Sequence, residues 1–191
     1  ASSAASDVYK RQSTYNMSIA ELEKKLQAAE IKPRVVVPVH LAGQSCEMDK
    51  IYKLSQKYGV KVIEDASHAI GADYKETKVG CCKYSDMTVF SFHPVKIVTT
   101  GEGGMVLTND KDLYEKLVLY RSHGITRDPK LMTGIADGPW YYQQIDLGFN
   151  YRMTDMQAAL GYSQMRKVDE FVSKRRYLVK RYNELLKNIN G

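Results

Sequence analysis

Val60-Lys61-Val62-Ile63-Glu64 has the length and branched apolar content of a buried strand, and it runs into Asp65-Ala66-Ser67-His68-Ala69-Ile70-Gly71-Ala72. The small residues of that second run allow close backbone approach. In open α/β sheets, ligands sit just beyond the carboxyl ends of the strands, which is where Asp65 falls. A second apolar run, Met87-Thr88-Val89-Phe90-Ser91-Phe92, ends in the same way. It delivers Ser91 and His93, then Pro94-Val95-Lys96, then the turn Thr99-Thr100-Gly101-Glu102-Gly103-Gly104. An acid, a hydroxyl and a lysine thus each follow a buried strand, with the lysine 31 positions after the acid.

Pyridoxal phosphate has needs that match this trio. It requires a lysine for the Schiff base, a carboxylate to keep the pyridine nitrogen protonated, and donors for its phosphate. On that reading Asp65 holds the ring nitrogen, Lys96 carries the cofactor and moves the proton at the substrate carbon, and Ser91 binds phosphate. Each residue taken singly has a plainer reading. An Asp at a strand end is more often a cap or turn former, and a loop lysine is usually solvated.

The wording of the whole stretch separates these readings. Glu64-Asp65-Ala66-Ser67-His68-Ala69-Ile70-Gly71, Phe90-Ser91-Phe92-His93-Pro94-Val95-Lys96 and Thr100-Gly101-Glu102-Gly103-Gly104 resemble the DegT/DnrJ/StrS-type nucleotide-sugar aminotransferases. The resemblance continues through Arg121-Ser122-His123-Gly124-Ile125, Gly148-Phe149-Asn150-Tyr151-Arg152-Met153 and Gln157-Ala158-Ala159-Leu160-Gly161, spanning roughly Ile31 to Leu186. It implies a three-layer α/β/α fragment of the large domain of the aspartate-aminotransferase-like fold (fold type I), with a mostly parallel sheet. It also implies pyridoxal 5'-phosphate as cofactor and a homodimer with shared active sites. His68 is then expected to support Asp65 or the ring hydroxyl, and Asn150 to reach the cofactor phosphate of a neighbouring subunit. Without the resemblance, His68 is a loop histidine and Gly148-Phe149-Asn150 a turn before a helix. Arg152 suits a substrate phosphate or an interface ion pair equally well, and His93 and His123 read as structural.

The bulk numbers set outer limits. At 191 residues and 43% hydrophobic, the chain can bury a core as one domain. No apolar run of about 18 residues occurs, so no membrane span is expected, and residues 1–6 lack the features of a secretory signal. Three cysteines do not make a disulfide framework, and a reduced cytoplasm suits them. Cys81-Cys82 are adjacent, which is the wrong spacing for zinc, so no metal is expected. The net charge of +6 gathers at the end, where residues 161–191 hold eight basic side chains against three acidic. Val168, Phe171, Val172, Leu178, Val179, Tyr182, Leu185, Leu186 and Ile189 recur there at helical spacing, giving an amphipathic helix with a basic solvated face. Nothing there has the motif or aromatic interleaving of a nucleic-acid binder. Gly101-Glu102-Gly103-Gly104 is not a dinucleotide motif, because it precedes a strand instead of joining strand to helix. Lys96 also argues against the dehydratase branch of the family, which replaces that lysine with histidine.

The remaining elements follow from local signals. Ser18-Ile19-Ala20-Glu21 is a capping box, Val35 to Val39 a strand disturbed by Pro38, and Met48 to Tyr58 a helix closed by Gly59. Met105 to Thr108 reads as a strand, and Asn109-Asp110 caps a helix through Tyr120. Ile125 to Gly148 reads as one long loop, and Thr154-Asp155-Met156-Gln157 opens another helix. Residues 1–16 show no periodicity and receive no assignment. Residues 17–165 are expected to form part of the cofactor-binding large domain, and 166–191 a long helix leading toward a small domain. The family's phosphate-cradling Gly-Thr turn belongs upstream of the lysine, and no such segment precedes the sheet here; the chain is expected to be an internal portion of a longer enzyme. That enzyme would move an amino group, from glutamate or another amino-acid donor, to the 4-keto carbon of a UDP-linked deoxy-N-acetyl sugar in bacterial surface-sugar synthesis. The alternatives are a different nucleotide keto-sugar, or a non-catalytic interaction module.

Overall fold

The computed structural model describes residues 14–189. Residues 1–13, most of the unassigned stretch 1–16, lie outside the described residues, whereas Asn16 is buried and its side-chain amide donates to the carbonyls of Gln44 (3.0 Å) and Ser45 (3.2 Å). Helix α1 (Ile19–Ala28) begins at Ser18, whose hydroxyl accepts from the amide of Glu21 at 3.4 Å. Strand β1 is only Val35–Val36. The expected strand to Val39 is cut short because Pro38 has no N–H to give to a ladder. The pairing nevertheless resumes as an isolated parallel bridge between Val39 and Asp65.

Helix α2 (Met48–Tyr58) ends at Gly59, which takes the left-handed conformation at φ 68° that terminates the helix. Strand β2 (Lys61–Asp65) follows, then a small hairpin of β3 (Asp73–Tyr74) and β4 (Thr77–Lys78) that the sequence did not announce. Strands β5 (Met87–Ser91) and β6 (Gly104–Leu107) complete a four-stranded sheet in the order β1-β2-β5-β6. The first three strands are parallel, and β6 returns antiparallel to β5. Helix α3 (Lys111–Arg121) is capped by Asp110, whose carboxylate accepts from the amides of Asp112 and Leu113. The segment 125–148 is not the single loop expected: Ile125–Thr126 (β7) pairs antiparallel with Gln143–Gln144 (β8). Helices α4 (Asp155–Met165) and α5 (Val168–Leu186) end the described chain, separated by a turn at Arg166-Lys167.

Two clusters make the core. One joins Leu26 of α1 and Ile51 and Leu54 of α2 to Val36 and Val62. The other gathers Ala66, Ala69, Val79, Phe90, Phe92 and Val98, with Met153 and Val168 packed against it. Among the described residues, no helix is long and apolar enough to cross a membrane.

Ile51 is fully buried at the centre of the first cluster. Ile51→Ala is expected to cost roughly 2–5 kcal/mol, read as a lower urea midpoint with an unchanged slope.

Candidate active site

Strands β2 and β5 place Glu64 opposite Thr88 and Asp65 opposite Val89. Side chains alternate between faces along a strand, and directly opposed residues share a face. Val62, Glu64, Thr88 and Phe90 therefore point to one face, and all four are buried. Ile63, Asp65, Met87, Val89 and Ser91 point to the other, and all five are half-buried. Asp65 and Ser91 thus stand on the same, less covered face, at the carboxyl ends of neighbouring parallel strands.

Lys96 joins them at this edge. The chain leaves β5 through Phe92, turns where the Lys96 amide donates to His93 O (3.0 Å), and returns where the Thr100 amide donates to Phe92 O (3.0 Å). The Phe92 amide in turn donates to Gly103 O at 2.8 Å, just before β6 begins. Lys96 is half-buried, and its ammonium makes no hydrogen bond or ion pair with any described residue.

Asp65 is held mainly by its backbone. Its amide donates to Pro38 O (2.9 Å) and its carbonyl accepts from the His40 amide (3.0 Å). One carboxylate oxygen accepts from the Ser67 amide at 3.0 Å, leaving the other without a partner among the described residues. His68, in the turn that follows, accepts the Ala42 amide on Nδ1 at 3.3 Å, so Nε2 carries its proton. Asn150 is not drawn into this group. It is exposed, pairs with Ser122 as an isolated antiparallel bridge, and has no hydrogen bond to the other four residues. Arg152 is likewise exposed. A shallow depression of about 540 Å³ lies at the opposite end of β5, lined by Ser85, Asp86 and Asn109 to Asp112, away from these groups.

Beneath the open face lies a polar network that the strand pattern concealed. Glu64 is 5% exposed, and its carboxylate accepts from His40 Nε2 (2.8 Å), Thr88 Oγ1 (2.9 Å) and the Ser85 hydroxyl. His40 is fully buried and receives the Cys46 amide on Nδ1 at 3.2 Å. That acceptance fixes the proton on Nε2, facing Glu64. Cys46 is itself sealed; burial pushes its thiol up to about 11, and Sγ donates to Val39 O at 3.2 Å. Burial alone would raise the Glu64 carboxyl. The hydrogen bonds from His40, Ser85 and Thr88 outweigh burial and hold it below its ordinary value. The available signal was a glutamate at a buried position of an alternating strand, a placement that requires partners.

An unpaired amine, a carboxylate with an uncommitted oxygen and a hydroxyl on one open edge can serve a cofactor that carries an aldehyde, a ring nitrogen and a phosphate. Pyridoxal phosphate is such a molecule.

Comparison with known proteins agrees with this chemistry. The family model described as the DegT/DnrJ/EryC1/StrS aminotransferase family matches residues 7–191, and the chain belongs to that family. It is 42% identical over 166 residues to a UDP-4-amino-4,6-dideoxy-N-acetyl-beta-L-altrosamine transaminase of Campylobacter jejuni, covering 85% of this chain and 41% of that protein. It is also 42% identical over 180 residues to a GDP-perosamine synthase of Caulobacter vibrioides, covering 93% of this chain and 44% of that protein. Among solved structures, an aminotransferase of pseudoaminic acid biosynthesis from Helicobacter pylori superposes with a TM-score of 0.81 at 33% identity, over 94% of this chain and 44% of that one. The PLP form of a putative sugar aminotransferase from Streptococcus pneumoniae superposes with a TM-score of 0.80 at 28% identity, over 95% of this chain and 47% of that one. The chain thus spans less than half the length of these relatives.

The Glu64 network carries a pH signature. A carboxyl held below its unfolded value of 4.5 contributes its full stability above that pH, and loses it as the pH falls toward the lower folded value. Wild-type stability is expected to drop below pH about 4.5. Glu64→Gln should flatten that part of the acid limb, while costing roughly 1–3 kcal/mol at neutral pH. Urea melts of both proteins at several pH values measure this.

Proposed function

We propose that this chain is the cofactor-lysine portion of a nucleotide-sugar aminotransferase that uses pyridoxal phosphate. The observation that carries the reading is the convergence of Asp65, Ser91 and Lys96 on the open carboxyl edge of β2 and β5. Bound there, the cofactor supplies an electron sink for moving an amino group between an amino-acid donor and a keto-sugar. Asp65 holds a proton on the ring nitrogen. Lys96 provides the amine that the cofactor aldehyde requires, and then takes and returns the proton at the substrate carbon. Ser91 donates to the phosphate, and His68 backs the Asp65 turn.

The exposed Asn150 suits a contact made across a homodimer, toward the site of the other subunit. Residues 17–165 belong to the cofactor-binding domain, and α5, which begins at Val168 after the turn at 166–167, leads toward a second domain. For the substrate we infer the 4-keto form of a UDP-linked deoxy-N-acetyl sugar, of the kind used in pseudaminic-acid-type surface sugars, with glutamate as donor. Support for this choice is the similarity to the Campylobacter transaminase and the Helicobacter aminotransferase.

The test uses the complete gene product, incubated with pyridoxal phosphate, reduced with borohydride and mapped by peptide mass. The expected adduct is on Lys96, absent in Lys96→Ala and diminished in Asp65→Ala. Turnover of the nucleotide keto-sugar should fall on the order of a thousandfold in Lys96→Ala. A folded full-length protein that forms no adduct overturns the reading and leaves an interaction module.

A further inference from the structure

Gln157 and Gly161 lie four positions apart on one line of α4, and Met153 stands just before the helix, ahead of its N-cap Thr154. That line rests on the turn following Lys96. A Cβ on Gly103 would overlap Thr100 Oγ1 within the turn and stand 2.9 Å from Met153 Cε, and one on Gly161 would stand 2.7 Å from Thr100 Cγ2. Between these two close approaches, Gln157 Nε2 donates to Glu102 O at 3.0 Å. The same carbonyl accepts from Thr100 Oγ1 at 2.7 Å. Among the described residues this is the hydrogen bond that joins α4 to the 99–104 turn.

The other end of the Gln157 side chain is also committed. Its Oε1 accepts from the Thr154 amide at 3.0 Å, while the Gln157 backbone N–H donates to Thr154 Oγ1 at 3.3 Å. One side chain therefore completes the capping box of α4 and clasps a turn 55 positions earlier in the chain. That turn closes the loop carrying Lys96, since Thr99 Oγ1 (3.1 Å) and the Thr100 amide (3.0 Å) both donate to Phe92 O.

We propose that Gln157 is a positioning residue for Lys96: its bond to Glu102 O fixes the outer foot of the lysine loop against α4. This rests on the reading of Lys96 as the cofactor lysine.

Two substitutions in the full-length protein separate positioning from helix stability. In Gln157→Glu the carboxylate can still accept from the Thr154 amide, and an acid suits a helix N-terminus. It has no N–H to offer Glu102 O. Thr154→Ala does the reverse: it removes the cap hydroxyl, which also donates to Gln157 Oε1 at 3.0 Å, but keeps the Thr154 amide bond to Oε1 and the Gln157 side-chain N–H that reaches Glu102 O. Hydrogen exchange over residues 92–104 without cofactor, the dissociation constant for pyridoxal phosphate and the thermal midpoint are measured on each. For Gln157→Glu the expected result is a midpoint at or above wild type, faster exchange at Phe92 and Thr100, and a dissociation constant raised on the order of tenfold. Thr154→Ala should lower the midpoint and leave the other two readings near wild type. The proposal is overturned if Gln157→Glu keeps wild-type exchange and affinity, or changes them no more than Thr154→Ala does. Absence of a Lys96 adduct in the wild type overturns the cofactor reading instead; the exchange comparison, made without cofactor, still decides whether Gln157 holds the loop.

Discussion

Glu64 is a carboxylate almost wholly removed from water, and the carboxyl edge of the sheet is arranged around keeping it satisfied. Stripping solvent from such an ion costs several kcal/mol unless hydrogen bonds replace the lost shell. Here the replacements come from separate segments: His40 beyond β1, Ser85 before β5 and Thr88 within it. Because none of these segments can slide without exposing the charge, the strand ends are registered against one another. Asp65, one residue further on, inherits a fixed backbone with both its amide and its carbonyl bonded. Two adjacent acids consequently have opposite lives. The first is sealed, saturated and structural; the second has a face open to solvent and an oxygen to spare.

Strand direction explains how the amine comes to the same place. Parallel strands deliver their carboxyl ends to one edge, and β6, running back beside β5, forces the connecting loop to lie at that edge as well. A lysine only five positions after Ser91 therefore has little freedom to lie elsewhere. The loop is short, tied by Phe92 at its root and leaned upon by α4 at its far side.

Much of this could be read from residue patterns. The branched apolar runs at 60–64 and 87–92 located β2 and β5, and the switch from apolar strand to small or polar residues located Asp65 and Ser91. Cap residues located the helix starts at Ser18, Asp110 and Thr154. What stayed hidden depends on pairing between distant segments. The β7–β8 hairpin joins two-residue strands across a Gly- and Pro-bearing stretch, where neither partner carries a strand pattern of its own. The β3–β4 hairpin is equally short. The Glu64 hub arises from three places in the chain, and only the improbability of a buried glutamate hinted at it. The Gln157 clasp was invisible for a similar reason: the capping box accounts for that glutamine fully, and its second bond needs the turn 55 positions away.

The last strand of the sheet has a further consequence. Among the described residues β6 pairs with β5 alone, and Met105 and Val106 on it are 48% and 39% exposed. A row of unpaired amides and carbonyls beside apolar side chains is a template for another extended chain. The net charge of +6 keeps copies apart at neutral pH. The colloidal behaviour of this segment on its own is therefore a contest between that repulsion and the adhesiveness of one bare strand. Added salt or a more alkaline buffer weakens the repulsion and leaves the strand unchanged, so both favour the aggregate.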